Sequence, residues 1–125
     1  MNIAIINGPN LNLLGTREPS VYGSQTFEAY FAQLQQQFTA VSFSYYQSNV
    51  EGELINELQR VGFTCDGIII NPGGYTHTSV ALGDCITAIT APVVEVHISN
   101  VHAREDFRKI SHVSANAKAV LLAWA

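Results

Sequence analysis

The stretch that decides the fold is DGIIINPGGYTHTS, residues 66–79, in which three isoleucines run into a turn of Asn, Pro and two glycines. A continuous β-branched run without polar alternation is typical of a strand covered on both faces, as in a parallel sheet. In open α/β folds, ligands bind in the crevice outside the carboxyl ends of such strands. A functional site is therefore expected among the polar residues that follow the run, which are Asn71, Tyr75, Thr76, His77, Thr78 and Ser79.

The same turn allows a purely structural interpretation. A strand followed by Pro-Gly-Gly is a common connection to a helix, and Thr76, Thr78 or Ser79 could simply cap that helix. The pattern recurs, however, after the apolar runs 2–6 and 93–97, which also end in polar turns. This recurrence favours a shared site over three unrelated caps.

Apolar patterning predicts five strands that alternate with helices. Besides the central strand, the strands are expected at 2–6, 41–47, 93–97 and 117–124. Such alternation predicts an α/β fold with right-handed crossovers, namely a flavodoxin-like, doubly wound, five-stranded parallel sheet of order 2-1-3-4-5. Residues 1–125 are interpreted as a single domain, in which the irregular stretch 13–24 is a lid loop over the site.

Each predicted helix has an apolar face. The first helix, about 26–38, carries aromatic residues at helical spacing that we assign to the core. The second helix follows SNVE (48–51), which has the spacing of a capping box, and ends at Gly62. The third helix is expected at 78–89, with inward residues Val80, Ala81, Cys85, Ala88 and Ile89.

The composition of the chain limits which partners and which cellular compartment we expect for it. The net charge is −4 with only six Lys and Arg, so no basic stripe is available to neutralise nucleic-acid phosphates. No segment has the length or pattern of a membrane span or a signal peptide. Cys65 and Cys85 lack the spacing of metal ligands, so we expect a reduced, cytoplasmic setting and no bound metal.

Two pairs of side chains suggest acid and base chemistry. Glu95 and His97 are two apart on one strand, hence on the same face, where a carboxylate can orient an imidazole and favour its protonated form. A satisfied buried network explains this pair equally well. Arg17 and Tyr22 lie in the lid loop, where a guanidinium can favour a tyrosinate base even though the reference pKa of a phenol is about 10. On their own, these two would be interpreted by default as a solvated Arg and a packing Tyr.

The predicted strand order unites these residues. Strands one, three and four are neighbours in a 2-1-3-4-5 sheet, so the turns at their carboxyl ends converge on one crevice. The lining of that crevice is then Asn10, Asn71, His77, His97 and Ser99, covered by the loop that carries Arg17 and Tyr22.

Five segments, in order, resemble the motifs of type II 3-dehydroquinate dehydratase. They are NGPNLNLLG (7–15), REPSVYGS (17–24), SNVEGELI (48–55), INPGGYTHTSVAL (70–82) and EVHISNVHAREDFR (95–108). The resemblance implies an enzyme of the shikimate pathway of aromatic amino acid biosynthesis, a hydro-lyase that removes water from 3-dehydroquinate in an anti elimination through an enolate. It implies no cofactor and no metal, and a homo-oligomer, a dodecamer built from trimers.

The resemblance also implies roles for individual residues. Tyr22 would be the base, Arg17 would stabilise anions, and Asn10 would hold a water against the enolate oxygen. His97, oriented by Glu95, would protonate the departing hydroxyl. The residues expected to bind substrate are Asn71, His77, Ile98, Ser99 and Arg108, together with Asp84 from a neighbouring subunit.

The chain departs from the family pattern at two places. Gly83 stands where a basic residue is expected beside Asp84, and the carboxyl end is shorter than the family's usual finish.

Two other classes of protein remain as alternatives. A non-catalytic flavodoxin-like module would bind a nucleotide or flavin, but Pro9 and Leu11 interrupt the first turn where a phosphate loop needs small residues. An assembly protein that has lost activity would not need Arg17, Tyr22 and His97.

Overall fold

Five parallel strands form the centre of the molecule. The computed structural model describes residues 1–16, 20, 23–98 and 105–122. The strands are β1 (Asn2–Asn7), β2 (Ser42–Gln47), β3 (Gly67–Asn71), β4 (Val93–His97) and β5 (Ala119–Leu122). They lie in the order β2-β1-β3-β4-β5, and every neighbouring pair is parallel. The predicted doubly wound sheet and its strand order are confirmed.

Helices cover both faces of the sheet because alternate residues of each strand point to opposite sides. On one face, helices α2 (Glu51–Val61) and α3 (Val80–Ala88) pack on a core that includes Ile6, Ile68 and Ile70. On the other face, helix α1 (Phe27–Gln37) contacts the aromatic side chains of β2. The site-bearing strands β1 and β3 lie in the centre of the sheet and are largely buried.

The prediction that the aromatics of α1 belong to the core is wrong. No residue of α1 is fully buried, and Tyr30 and Phe38 are 45% and 46% exposed. The helix lies over β2, the edge strand, where Phe27 stacks on Tyr45 with ring centroids 4.7 Å apart. An edge strand has a neighbouring strand on one side only, so the aromatic stripe of α1 is only partly covered.

Helix α3 begins later than predicted and presents a different face. Its amino end is capped by Ser79, whose hydroxyl accepts a hydrogen bond from the Leu82 N–H at 3.0 Å. Leu82 and Ile86 point into the core beside the correctly predicted Cys85. Val80, Ala81 and Ala88 are exposed, contrary to the prediction, while Ile89 is buried just beyond the helix. The buried residues Leu82, Cys85, Ile86 and Ile89 follow the i, i+3, i+4, i+7 spacing of one helix face.

The capping box predicted at 48–51 is also wrong. The N-cap residue of α2 is Val50, and the Ser48 hydroxyl instead accepts from the Val50 N–H at 2.9 Å and donates to Glu53 at 2.6 Å. The helix does end before Gly62, as predicted. Here the glycine is required by close approach, because a Cβ would lie 2.5 Å from the Leu58 carbonyl oxygen.

Neither cysteine is in a disulfide, with Cys85 buried and Cys65 half-buried. Within the described ranges, no helix has the length and apolar character needed to cross a membrane.

Candidate active site

The carboxyl ends of β1, β3 and β4 lie side by side. Asn7 and Asn71 are register partners at the ends of β1 and β3, and the Gly8 N–H donates to the Asn71 carbonyl at 2.7 Å. β4 is the next strand and ends at His97. The turns that were predicted to share one crevice therefore start from adjacent positions, at the end of the sheet where the strands have their carboxyl ends.

Glu95 and His97 form a buried pair near the carboxyl end of β4. The distance from His97 Nε2 to Glu95 Oε1 is 2.5 Å, and the two residues are 8% and 0% exposed. An imidazole nitrogen that donates to a carboxylate fixes the ring orientation and leaves Nδ1 as the other functional nitrogen. The predicted contact between these side chains is confirmed.

Two hydroxyl groups complete the surroundings of the Glu95 carboxylate. Thr76 Oγ1 donates to Oε1 at 2.5 Å, and Ser114 Oγ donates to Oε2. Burial raises the pKa of Glu95, but the hydrogen bonds from His97, Ser114 and Thr76 outweigh it and hold the pKa below its ordinary 4.5. The group facing His97 is therefore an ionised carboxylate at neutral pH.

The segment 110–114 joins Glu95 to the turn that follows β3. Ser111 Oγ lies 2.6 Å from Thr76 Oγ1, and the His112 N–H donates to the Thr76 carbonyl at 2.8 Å. The Ser114 N–H in turn donates to Ser111 Oγ at 2.9 Å. Sequence reasoning missed Ser111 and Ser114 entirely and considered Thr76 only as a polar turn residue. The spacing of two serines three residues apart was the one signal, and it does not by itself point to a carboxylate 19 residues away.

His77 is buried beside this segment. Its Nδ1 lies 2.7 Å from the Ile110 carbonyl oxygen, so Nδ1 carries the hydrogen and Nε2 is the remaining polar atom. Burial lowers the pKa of His77, and the positive charge of Arg108 adds to that effect. His77 is therefore a neutral imidazole at pH 7.

Arg108 and His77 both contact the ring of Phe107. Arg108 and Phe107 lie in the short 3-10 helix Asp106–Lys109, which contacts the 3-10 helix Gly73–His77. The Phe107 ring meets His77 edge-on at 5.8 Å between ring centres, and the Arg108 guanidinium lies 4.9 Å from the centre of the same ring. Arg108 Nε also donates to Glu105 at 2.6 Å. The structure thus brings together His77 and Arg108, as predicted.

The two candidate asparagines are held differently. Asn71 is buried, and its Oδ1 accepts from the Gly73 N–H at 3.1 Å, which orients the amide nitrogen as a donor. Asn10 is exposed, has a left-handed backbone with φ of 71°, and donates its backbone N–H to Asn49 Oδ1 at 3.0 Å.

Asp84 is not brought to this cluster. It lies on the exposed side of α3, and within the described ranges it makes no hydrogen bond or ion pair with the other candidate residues. Its neighbour Gly83 is buried, and a Cβ there would lie 2.4 Å from the His112 carbonyl oxygen. The basic residue that the family pattern suggests at position 83 does not fit this backbone.

Three candidate residues, Arg17, Tyr22 and Ser99, lie outside the described residues, as does most of the lid loop's centre. Ile98 is half-buried directly after His97. Among the residues that are described, no group of three or more His, Cys, Asp or Glu side chains is arranged to hold a metal ion.

Known proteins that resemble this chain in sequence include dehydroquinases. A model of the family described as Dehydroquinase class II matches residues 1–124. A catabolic 3-dehydroquinase from Verticillium alfalfae is 51% identical over 121 residues, covering 95% of this chain and 81% of the relative. A 3-dehydroquinate dehydratase from Actinobacillus pleuropneumoniae is 50% identical over 121 residues, covering 95% and 79% respectively.

Solved structures resemble the chain over nearly its whole length. The crystal structure of a type II dehydroquinase from Butyrivibrio crossotus superposes with a TM-score of 0.92 at 40% identity, covering 98% of this chain and 88% of that one. A type II dehydroquinase from Propionibacterium acnes gives a TM-score of 0.88 at 33% identity, with coverage of 98% and 86%.

Proposed function

Because the chain belongs to the class II dehydroquinase family, we propose a mechanism in which its site removes water from 3-dehydroquinate. The resemblance drawn from five sequence motifs is confirmed, and the chain is a hydro-lyase of the 3-dehydroquinate dehydratase type. Membership of this family disfavours the nucleotide- or flavin-binding module, and the presence of Arg17, Tyr22 and His97 counts against the assembly protein.

The single observation that carries the mechanism is the buried pair of Glu95 and His97. A hydroxide is a poor leaving group, so dehydration needs a proton donor at the departing oxygen. With Nε2 held by an ionised carboxylate 2.5 Å away, Nδ1 of His97 is the nitrogen that carries the transferable proton. In this account His97 is the general acid and Glu95 orients it and stabilises its charged form.

The other half of the elimination is removal of a proton from the carbon next to the ketone. We assign that step to Tyr22 as a tyrosinate, with Arg17 stabilising the anions. The electron pair of the broken C–H bond moves onto the ketone oxygen to form an enolate, and Asn10 holds a water against that oxygen. The pair then returns to form the C=C bond as the hydroxyl leaves with the proton of His97. The two groups depart from opposite faces, which is an anti elimination, and the product is 3-dehydroshikimate.

Substrate binding is assigned to the polar groups around this pair. The Asn71 amide and the His77 Nε2 are buried and oriented, which suits them to bind the hydroxyls and carboxylate of the substrate. Arg108 adds a positive charge near His77 for the carboxylate. Ile98 and Ser99 follow the acid directly and are assigned to the same carboxylate.

Assembly and pathway complete the proposal. Asp84 is assigned to the site of a neighbouring subunit, in a dodecamer built from trimers. The relatives include both a catabolic 3-dehydroquinase and proteins named 3-dehydroquinate dehydratase. We place this enzyme in the shikimate pathway of aromatic amino acid biosynthesis, in the cytoplasm.

The test of the proposed function is direct. Purified protein is mixed with 3-dehydroquinate, and the absorbance of the conjugated enone is followed. We expect turnover by the unmodified chain and loss of most turnover in Tyr22→Phe, because that change deletes only the hydroxyl that acts as base. Near-normal kcat in Tyr22→Phe would assign proton abstraction to another group.

An imine route is the chemical rival, since it delocalises charge into an iminium on a lysine. The chain has two lysines. Lys118 begins the approach to β5 at the opposite end of the sheet, where its N–H donates to the carbonyl of Val93. Lys109 ends the 3-10 helix that contacts residues 73–77, so its position does not exclude it. Borohydride added during turnover is expected to leave the protein mass and activity unchanged, whereas a substrate-sized adduct on Lys109 would contradict the enolate route.

A further inference from the structure

The turn after β2 contacts the first active-site turn through Asn49. Asn49 Oδ1 accepts the backbone N–H of Asn10 at 3.0 Å and one hydrogen of Gln47 Nε2 at 3.2 Å. The same Gln47 nitrogen donates its second hydrogen to the carbonyl of Gly8 at 3.1 Å. Asn49 and Gln47 therefore hold the backbone of residues 8–10 from outside.

Asn10 has an uncommon backbone conformation at this turn. Its φ of 71° and ψ of −5° lie in the left-handed region, which few residues other than glycine adopt and which Asn tolerates better than most. Among the described residues it is the one non-glycine with a positive φ. It precedes the short 3-10 helix Leu11–Leu13, and its own side chain makes no capping hydrogen bond there. The side-chain hydrogen bond that holds this backbone from outside the turn is the one from the Asn10 N–H to Asn49.

We propose that Asn49, supported by Gln47, is a positioning residue that fixes the peptide of Asn10 and so aims its side chain at the enolate oxygen. The inference rests on the role given to Asn10 in the proposed function. A fixed N–H and a fixed φ determine the direction of the Cα–Cβ bond, so the bond to Asn49 sets the direction in which the side chain of Asn10 leaves the backbone. Small displacements of an oxyanion-stabilising group are costly because its stabilisation depends on preorganised geometry.

The turn that carries Asn49 is anchored independently of the Asn49 side chain. The Ser48 N–H donates to the Asn7 carbonyl at 3.1 Å, and the Tyr75 hydroxyl donates to the Asn49 carbonyl at 2.7 Å. The Ser48 hydroxyl bonds within the start of α2. Removing the Asn49 side chain therefore removes the bond to the Asn10 N–H and leaves the other bonds of the turn in place.

The test is a double-mutant cycle with kcat as the readout. Asn49→Ala in the unmodified background is expected to lower kcat by about tenfold with KM changed by less than about twofold. In an Asn10→Ala background, which has already lost the group being positioned, Asn49→Ala is expected to change kcat little. The matched control is Ser48→Ala, which removes two hydrogen bonds from the same turn without touching Asn10 and should leave kcat unchanged.

Amide hydrogen exchange provides a readout that needs no turnover. The Asn10 N–H should exchange faster in Asn49→Ala than in the unmodified chain or in Ser48→Ala. Equal losses of kcat from Asn49→Ala in both backgrounds, or an unchanged exchange rate at Asn10, would overturn the inference. Failure of the unmodified chain to dehydrate 3-dehydroquinate would instead contradict the proposed function. Because the exchange rate at Asn10 does not depend on turnover, the two failures can be told apart.

Discussion

At the scale of single residues, the state of Glu95 depends on its hydrogen-bond donors. A fully buried carboxylate is costly unless its oxygens are satisfied. Glu95 meets this condition with Thr76 and His97 on one oxygen and Ser114 on the other. These donors keep the pKa of Glu95 low, so the carboxylate stays charged and can stabilise a charged His97 in the reaction.

Ser114→Ala should therefore destabilise the fold in a pH-dependent way. In the folded chain the pKa of Glu95 is below its ordinary 4.5, so its ionisation stabilises the fold above that pH, and the effect is lost as pH falls through the folded-state pKa. Loss of the Ser114 donor raises the folded-state pKa. We expect a loss of about 1.5 to 3 kcal/mol in the free energy of unfolding at pH 7, and a smaller loss below pH 4.

Urea unfolding at the two pH values measures this difference. Ser111→Ala is the matched control, because Ser111 bonds to Thr76 and to the Ser114 N–H but makes no contact with the carboxylate. Its cost should vary much less with pH. An equal loss at pH 7 and below pH 4 for Ser114→Ala would show that the hydroxyl supports packing and not the charge of Glu95.

At the scale of elements, sequence patterning predicted the strands better than the faces of the helices. The runs at β3 and β4 are local signals, and the pairing of Glu95 with His97 follows from strand alternation alone. The exposure of Tyr30 depends on α1 lying over an edge strand, which no local pattern reveals. The start of α3 depends on Ser79 being the cap, and Thr78 looks equally suitable in the sequence. Its inward face follows the spacing of Leu82, Cys85, Ile86 and Ile89, a local signal that competed with the apolar residues Val80, Ala81 and Ala88. Ser114 could not be predicted because its contact with Glu95 is made by the tertiary fold.

The contact between α3 and the segment 110–114 is another tertiary feature, and Gly83 makes it possible. A Cβ at Gly83 would lie 2.4 Å from the His112 carbonyl oxygen and 3.1 Å from the Asn116 side chain. The backbone of the segment would have to move, and with it the groups that hold Glu95 and His77. We expect Gly83→Ala to cost about 1 to 3 kcal/mol of stability, measured by urea unfolding, and to lower kcat.

The control for that substitution is Gly52→Ala in α2. An added Cβ at Gly52 meets nothing within 4 Å, so the change should stabilise the chain by about 0.5 to 1 kcal/mol through helix propensity. If Gly83→Ala behaved like Gly52→Ala, the close approach of α3 to His112 would not constrain the site.

At the scale of the whole molecule, the exposed position of Asp84 is explained if it acts on a neighbouring subunit. Large apolar side chains are also exposed close to it in the chain or beside the site, with Val80 at 56%, Phe107 at 53% and Ile110 at 61%. We assign these side chains to the proposed surfaces between subunits. The proposed dodecamer should appear as a single species in analytical ultracentrifugation.

Subunit mixing tests whether Asp84 acts across that interface. Asp84→Ala and His97→Ala are each expected to have low activity as homo-oligomers. When the two chains are co-assembled, some sites combine His97 from one chain with Asp84 from the other, and activity should partly return. No recovery in verified mixed oligomers would place Asp84 outside the neighbouring site.

The central claim is that His97, oriented by Glu95, donates the proton that releases water, and its most direct test is steady-state kinetics of His97→Ala with 3-dehydroquinate. General acid catalysis typically contributes about 10² to 10⁴ in rate, so kcat should fall by that factor while KM changes little. The variant should remain folded by circular dichroism, since the comparison requires an intact site. An unchanged kcat with a raised KM would make His97 a binding residue and contradict the account.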